Sequence, residues 1–299
     1  VATSVGPIEY EVVEPLKILR ARLQENEVQP ISFEIEFEAL NPPFCEDRHL
    51  QRDEGGYRAV SDIVRYHQAG SVKGWVSVEG KREDIKTDDW IAFRDHSWGV
   101  RLDVGASPVD LKPARDWGDK KLAEAAFLLQ WSPMFMERPN GERFEYHYYL
   151  QMRDHKPFYF SGYRNLSDGT QERIARIRPN LRYDDVTRRM LGGTIEFDML
   201  NGENHAVEVE VPGESGFHLG TALYLGFEGK KHGMYRGELF VDGEKIDNTK
   251  DPETLRRIHQ LRDCPIRIRE GDAVGYGIFE SVLIGPWPEY GLTSENSFI

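Results

Sequence analysis

Ile31-Ser-Phe-Glu-Ile-Glu-Phe-Glu-Ala-Leu40 alternates apolar and polar residues as far as Ala39. Side chains of a strand point to opposite faces in turn, so this stretch reads as a half-buried β-strand. A sheet built from such strands keeps one face on a core and one in water. Asn41-Pro42-Pro43 ends the run, because proline cannot donate to a ladder. Working outward, residues 8–23 show the same alternation on either side of Pro15 and predict two strands or one broken strand. Residues 44–56 read as a polar loop, and Ser61–Glu79 as a hairpin turning at Gln68-Ala69-Gly70-Ser71.

Downstream, Phe127–Trp131, Phe144–Met152, Pro157–Phe160, Thr194–Met199, Ala206–Val211 and Tyr235–Val241 carry the β-branched and aromatic residues that suit pleated sheets. Asn140-Gly141 and Asp168-Gly169 predict tight hairpin turns. Ile266–Ile284 returns to β, with Gly275 and Gly277 as bulges or close approaches. One helix is expected over 252–261, capped by Asp251, with Pro252 in its first turn and Leu255, Ile258 and Leu261 as its apolar stripe. Short strands separated by turn residues predict an all-β protein of antiparallel barrels or sandwiches. Residues 105–120, rich in Gly, Pro and Asp, are the expected linker, giving domains at 1–110 and 111–299. The chain begins at Val1 rather than Met, which leaves room for a removed leader or for N-terminal strands outside it.

The 299 residues carry a formal charge of −13 at pH 7. That argues against nucleic acid and anionic membrane surfaces as partners, since both need a basic face. No apolar run reaches the ~18 residues of a membrane span. Cys45 and Cys264 lie far apart and read as two reduced thiols of a cytoplasmic protein. His-x-His, Cys-x-x-Cys and His-Glu-x-x-His do not occur, so no metal is expected. A Gly-x-Gly-x-x-Gly ahead of a helix and a Gly-x-Ser-x-Gly elbow are also missing, and no cofactor is expected. Arg173, Arg176, Arg178, Arg182, Arg188 and Arg189 read as a balance to the acidic surface rather than a phosphate site.

Trp90-Ile-Ala-Phe-Arg-Asp-His-Ser-Trp-Gly-Val-Arg101 is the stretch richest in chemistry. As a continued strand it puts Arg94, His96 and Trp98 on one face and Asp95, Ser97 and Gly99 on the other. Asp95 and His96 are the candidate proton handlers, because an imidazole can pass a proton at physiological pH. Phe93–Gly99 resembles the aromatic-x-Asp-His-x-Trp-Gly signature of the AttH-like and acyclic-carotenoid hydratase family. Tyr66-His67-Gln68-Ala69-Gly70, His232–Gly237 and Gly285-Pro286-Trp287-Pro288 extend the resemblance thinly over most of the chain.

The resemblance implies two lipocalin-like domains in tandem. It also implies a cofactor-free lyase or isomerase of the hydratase kind, acting on an isoprenoid-, polyketide- or steroid-like molecule. His96 and Trp98 match positions linked to catalysis in the hydratases, where an indole can stabilise a carbocation through its π face. The family's downstream Tyr-x-Asp pair has no counterpart in Phe127–Trp131, which holds no acid. Asp95, His96 and Trp98 are thus the expected catalytic residues, with Arg94, Trp131, Tyr146, Tyr148 and His232 around the substrate. His218 is a further histidine that could reach the same cavity. The rival reading is a carrier that holds a hydrophobic ligand in the same cavity without turning it over. Oligomeric state is not legible.

Overall fold

The computed structural model describes residues 1–52, 56–57, 59–101, 125–213, 216–218, 228–230, 233–258 and 260–297. The chain divides into two units. The first comprises Val1–Cys45, Arg65–Ser97 and Tyr235–Asp247; the second comprises Glu46–Val64, Trp98–Met234 and Asn248–Ile299. The linker and join expected at 105–120 lie outside the described residues, as does His232. The fold is all-β, as the alternation predicts.

The amino-terminal sheet contains β1 (Ala2–Val5), β2 (Ile8–Glu14), β3 (Ile18–Leu23), β4 (Ile31–Ala39), β5 (Phe44–Cys45), β6 (His49–Arg52), β7 (Ala59–Val78), β8 (Lys81–Ile85) and β9 (Ile91–Val100). Strands β1 to β4 run in order onto β7, which also pairs with β5, β6, β8 and β9, and the sheet curls into a half-barrel. Pro15 does split residues 8–23 into two strands, β2 and β3.

Two expectations change here. Residues 44–56 are not all loop, because β5 and β6 add to β7 within them. Ser61–Glu79 is not a hairpin: all of it but Glu79 belongs to one 20-residue strand, Ala59–Val78. The apparent turn signal at Gly70 has another cause: a β-carbon there would overlap the ring of Phe37 on β4, so glycine is needed for close packing.

The second sheet contains β10 (Phe127–Glu137), β11 (Arg143–Arg153), β12 (Lys156–Leu166), β13 (Gln171–Tyr183), β14 (Met190–Met199), β15 (Asn204–Glu210), β16 (Phe217–His218), β17 (Arg262–Glu270) and β18 (Ala273–Ile284). Antiparallel pairing runs β15-β14-β13-β12-β11-β10-β18-β17, and β15 then pairs with β17. This closes an eight-stranded barrel. Gly141 and Gly169 sit at φ 84° and 89° in the turns predicted for them. Gly275 and Gly277 are close approaches, since β-carbons would run into the carbonyls of Phe135 and Pro133.

The barrel interior is packed with side chains, among them Met134, Phe144, Tyr146, Tyr148, Phe197 and Phe279, all fully buried. Helix α1 (Pro252–Ile258) starts as expected, with the Asp251 carboxylate accepting from the Thr254 N–H at 3.0 Å, but ends before 261. Tyr235–Val241 forms no strand, and Tyr235, Leu239 and Phe240 are exposed, so their β propensity finds no packed face. No described helix is long and apolar enough to cross a membrane.

Candidate functional site

The first unit carries the Asp95–His96 stretch on β9 beside β7. Alternation along β9 is regular. Arg94 and His96 share one face, and both lie on the ring of Tyr66: the imidazole stacks at 5.3 Å between centroids and the guanidinium sits 5.0 Å above the ring. Asp95 points the other way and meets Arg65 of β7, with Nε 3.2 Å from Oδ1. Its partner is therefore a cross-strand cation rather than Arg94, and no bulge is needed to bring them together. Burial pushes the Tyr66 phenol above its ordinary pKa, with the Arg94 charge opposing. Asp95 and His96 remain exposed. Trp98 is 52% exposed and is not walled into a cavity.

The second unit holds a polar group that no sequence motif marks. On β11, Phe144, Tyr146, Tyr148 and Leu150 face the barrel interior. Alternation then sends Glu145, His147, Tyr149 and Gln151 outward, yet Glu145, His147 and Gln151 are buried. The segment from Glu46 to His49 lies over this outer wall. Asp47 accepts from the Tyr163 hydroxyl at 2.8 Å and from Arg173 at 2.9 Å. The His49 ring lies against Tyr159 at 4.3 Å, tilted by 37°, and meets Tyr149 edge-on at 5.8 Å.

At the centre, Nε2 of His147 lies 3.1 Å from Oε1 of Glu46, with side chains only 1% and 4% exposed. The indole N–H of Trp131 donates to the same carboxylate oxygen at 2.8 Å, and its ring meets His147 edge-on at 5.7 Å. Burying a carboxylate and an imidazole costs several kcal/mol unless they are paired and hydrogen-bonded. Here they are paired, and the Glu46 carboxylate also accepts from Trp131, which fixes which oxygen faces the ring. Such a pair can pass a proton to a neighbouring molecule and recover it. Trp131 was read from the sequence as a substrate contact; the structure makes it a holder of Glu46. Glu46 was hidden in a stretch read as loop, and His147 in a run of aromatics. Only the two-residue period of β11 separates His147 from the core face.

Tyr146 and Tyr148, expected to line a cavity, are part of the packed interior instead. The Tyr148 hydroxyl donates to Gln130 at 3.2 Å, and Gln130 donates in turn to the Tyr183 hydroxyl at 2.9 Å. Tyr146 donates to Glu270 at 3.0 Å and stacks on Phe197 at 4.7 Å. Their polar tips are satisfied within the protein, and burial raises all three phenols well above the usual range. His218 lies on β16, and nothing of its side chain is described. Of the arginine group, Arg173 and Arg178 pair with carboxylates as expected. Arg188 does not: it is fully buried.

A family model described as a family of unknown function (DUF8625) matches residues 1–293. No curated protein matches the chain. Among solved structures, kievitone hydratase from Nectria haematococca is 11% identical with a TM-score of 0.44, over 94% of this chain and 70% of that one. A candidate AttH from Nitrosomonas europaea is 12% identical with a TM-score of 0.48, over 93% and 69%. Likeness at this level assigns no activity to this chain.

Proposed function

We propose for this chain, which belongs to the DUF8625 family, a cofactor-free acid–base activity: a lyase or isomerase of the hydratase kind acting on an apolar isoprenoid-, polyketide- or steroid-like molecule. The observation that carries this reading is the Glu46–His147 pair, almost fully buried and held at one oxygen by Trp131. Buried, specifically paired titratable groups are concentrated at functional sites. In a hydration, the protonated pair gives its proton to one carbon of a double bond. Water adds to the other carbon, and the proton that this water loses returns to the pair, so that one water is added in all. In an isomerisation, the proton is given at one carbon and taken from another.

Asp95 and His96 form a second proton-handling group in this proposal, with Arg94 and Trp98 beside them. Arg65 holds Asp95 while the imidazole keeps an exposed edge. The carrier reading shares the same class of ligand and differs only in the absence of turnover.

The test is a panel of unsaturated isoprenoid, polyketide and steroid-like compounds incubated with the protein in heavy water. Mass spectrometry would read the gain of one water or the uptake of deuterium. Turnover that disappears in His147→Gln and Glu46→Gln, with circular dichroism unchanged, is the expected result. Turnover that survives both changes would remove the pair from the chemistry. Binding without turnover across the panel would favour the carrier.

A further inference from the structure

Gln130, Ser281 and Arg262 form one row across β10, β18 and β17, towards one end of the barrel. Alternation from the core residues Phe279, Ile266 and Ile268 turns Ser281 and Arg262 inward. All three side chains are buried, Ser281 being 1% and Arg262 4% exposed. Gln130 is satisfied at both ends by Tyr148 and Tyr183. Its row partners are not. Among the described residues, neither Ser281 Oγ nor Arg262 Nε has a hydrogen-bond partner, and Arg262 forms no ion pair with a carboxylate. The other buried guanidinium of the barrel shows the contrast: Arg188 donates to main-chain carbonyls and to the Asn296 side chain.

Arginine keeps its proton, so Arg262 carries a positive charge into the barrel wall. A water can satisfy a buried hydroxyl, but a buried cation needs a counter-charge. Its neighbours do not supply one. Cys264, the next residue on the same face, is held neutral by burial, which pushes its thiol up to about 11. Asp263 and Glu280 point to the opposite face. Asp184 is turned into its own loop, where Oδ1 accepts from the N–H groups of Val186 and Thr187 and from the Thr187 hydroxyl. Arg189 adds a second positive charge to the surroundings of Arg262. The Nε–H and one Nη–H of a guanidinium match the two oxygens of a carboxylate, and a serine hydroxyl can donate to a remaining lone pair. Phe279, beside Cys264 in register, makes the flank apolar. We propose that Arg262 and Ser281 form a buried site for the carboxylate of an organic acid. The site stands independently of Glu46 and His147.

Calorimetric titration and thermal melting of the full chain with sodium acetate and sodium decanoate, at constant ionic strength, test it. The wild type should bind one equivalent and melt higher with it, and Arg262→Met should do neither. Ser281→Ala should bind about tenfold more weakly or worse, as expected for a lost hydrogen bond to a charged group. Arg262→Lys keeps the charge without the fork and should also bind more weakly than the wild type. In carboxylate-free buffer Arg262→Met should melt no lower than the wild type, because it removes an uncompensated charge. Similar affinity for the two acids would support the site and identify a small free acid; much tighter decanoate would support it and identify an acid with an apolar chain. Decanol, which lacks the charge, should not compete. No carboxylate bound by the wild type would overturn the proposal, as would equal affinity in wild type, Arg262→Met and Ser281→Ala, or displacement by decanol. A lower melt for Arg262→Met in carboxylate-free buffer would overturn it too, by showing that the chain itself already partners the guanidinium.

Discussion

Replacing Arg188 by methionine should destabilise the barrel by about 3 kcal/mol or more, because each buried acceptor left without its donor costs about 1–3 kcal/mol. Arg188 sits between β13 and β14 at φ 53° and is fully buried. Its guanidinium donates to the carbonyls of Leu283, Gly285, Thr293 and Asn296 and to the side-chain oxygen of Asn296, at 2.6–3.1 Å. No carboxylate is among these acceptors, and burial pulls the group down to about 10. A hydrogen bond to a charged group contributes about 1.5–3 kcal/mol. Methionine would recover the desolvation of the cation but leave five oxygens without these donors, in a segment that stitches the last strand to residues 293–296. Lysine brings three donors on a point charge and cannot fork, so Arg188→Lys should recover only part of the loss. Urea unfolding followed by tryptophan fluorescence would measure both, with the midpoint falling at unchanged slope. A loss below about 1 kcal/mol for Arg188→Met, the size of an ordinary substitution, would refute the clamp.

Further outcomes follow from the packing and the charges. Gly275→Ala should prevent native folding, because the added carbon meets the Phe135 carbonyl rather than a movable side chain; a cooperative melt like that of the wild type would count against the register of β10 and β18. Stability should fall as pH rises through about 10, where exposed phenols ionise. The unfolded chain then loses protons that buried Tyr148 and Tyr183 retain, so their contribution is complete below that pH and lost above it. Tyr148→Phe should flatten this alkaline decline. Asp95→Asn breaks a half-exposed ion pair and should cost no more than about 1 kcal/mol; a larger drop in the urea midpoint would show a structural knot instead. Trp98→Leu should leave the melt within about 0.5 kcal/mol because the ring is largely exposed. Turnover about tenfold slower would keep its proposed cation-stabilising role, and an unchanged rate would end it.

The strands were legible because burial on one face writes a two-residue period into the chain. Ile31–Leu40 shows it plainly, and β4 forms there. The capped start of α1 and the turns at Gly141 and Gly169 were legible for the same reason: local backbone demands select particular residues. Gly70 misled because glycine serves both turns and close packing, and only the ring of Phe37 on another strand distinguishes them. Tyr235–Val241 misled because β propensity without a packed partner fixes nothing.

Asp95 and His96 stood out because they are adjacent in sequence. Glu46 and His147 are 101 positions apart, and nothing local marks either. Their pairing depends on a short segment laid across the outer wall of a closed barrel. The Gln130–Ser281–Arg262 row depends likewise on β10, β18 and β17 lying side by side. The sequence alone determines which residues can pleat, turn and cap, because those preferences act between near neighbours. Which acid meets which imidazole was decided only when the sheet closed, because electrostatic and hydrogen-bonding partners are set by distance in space.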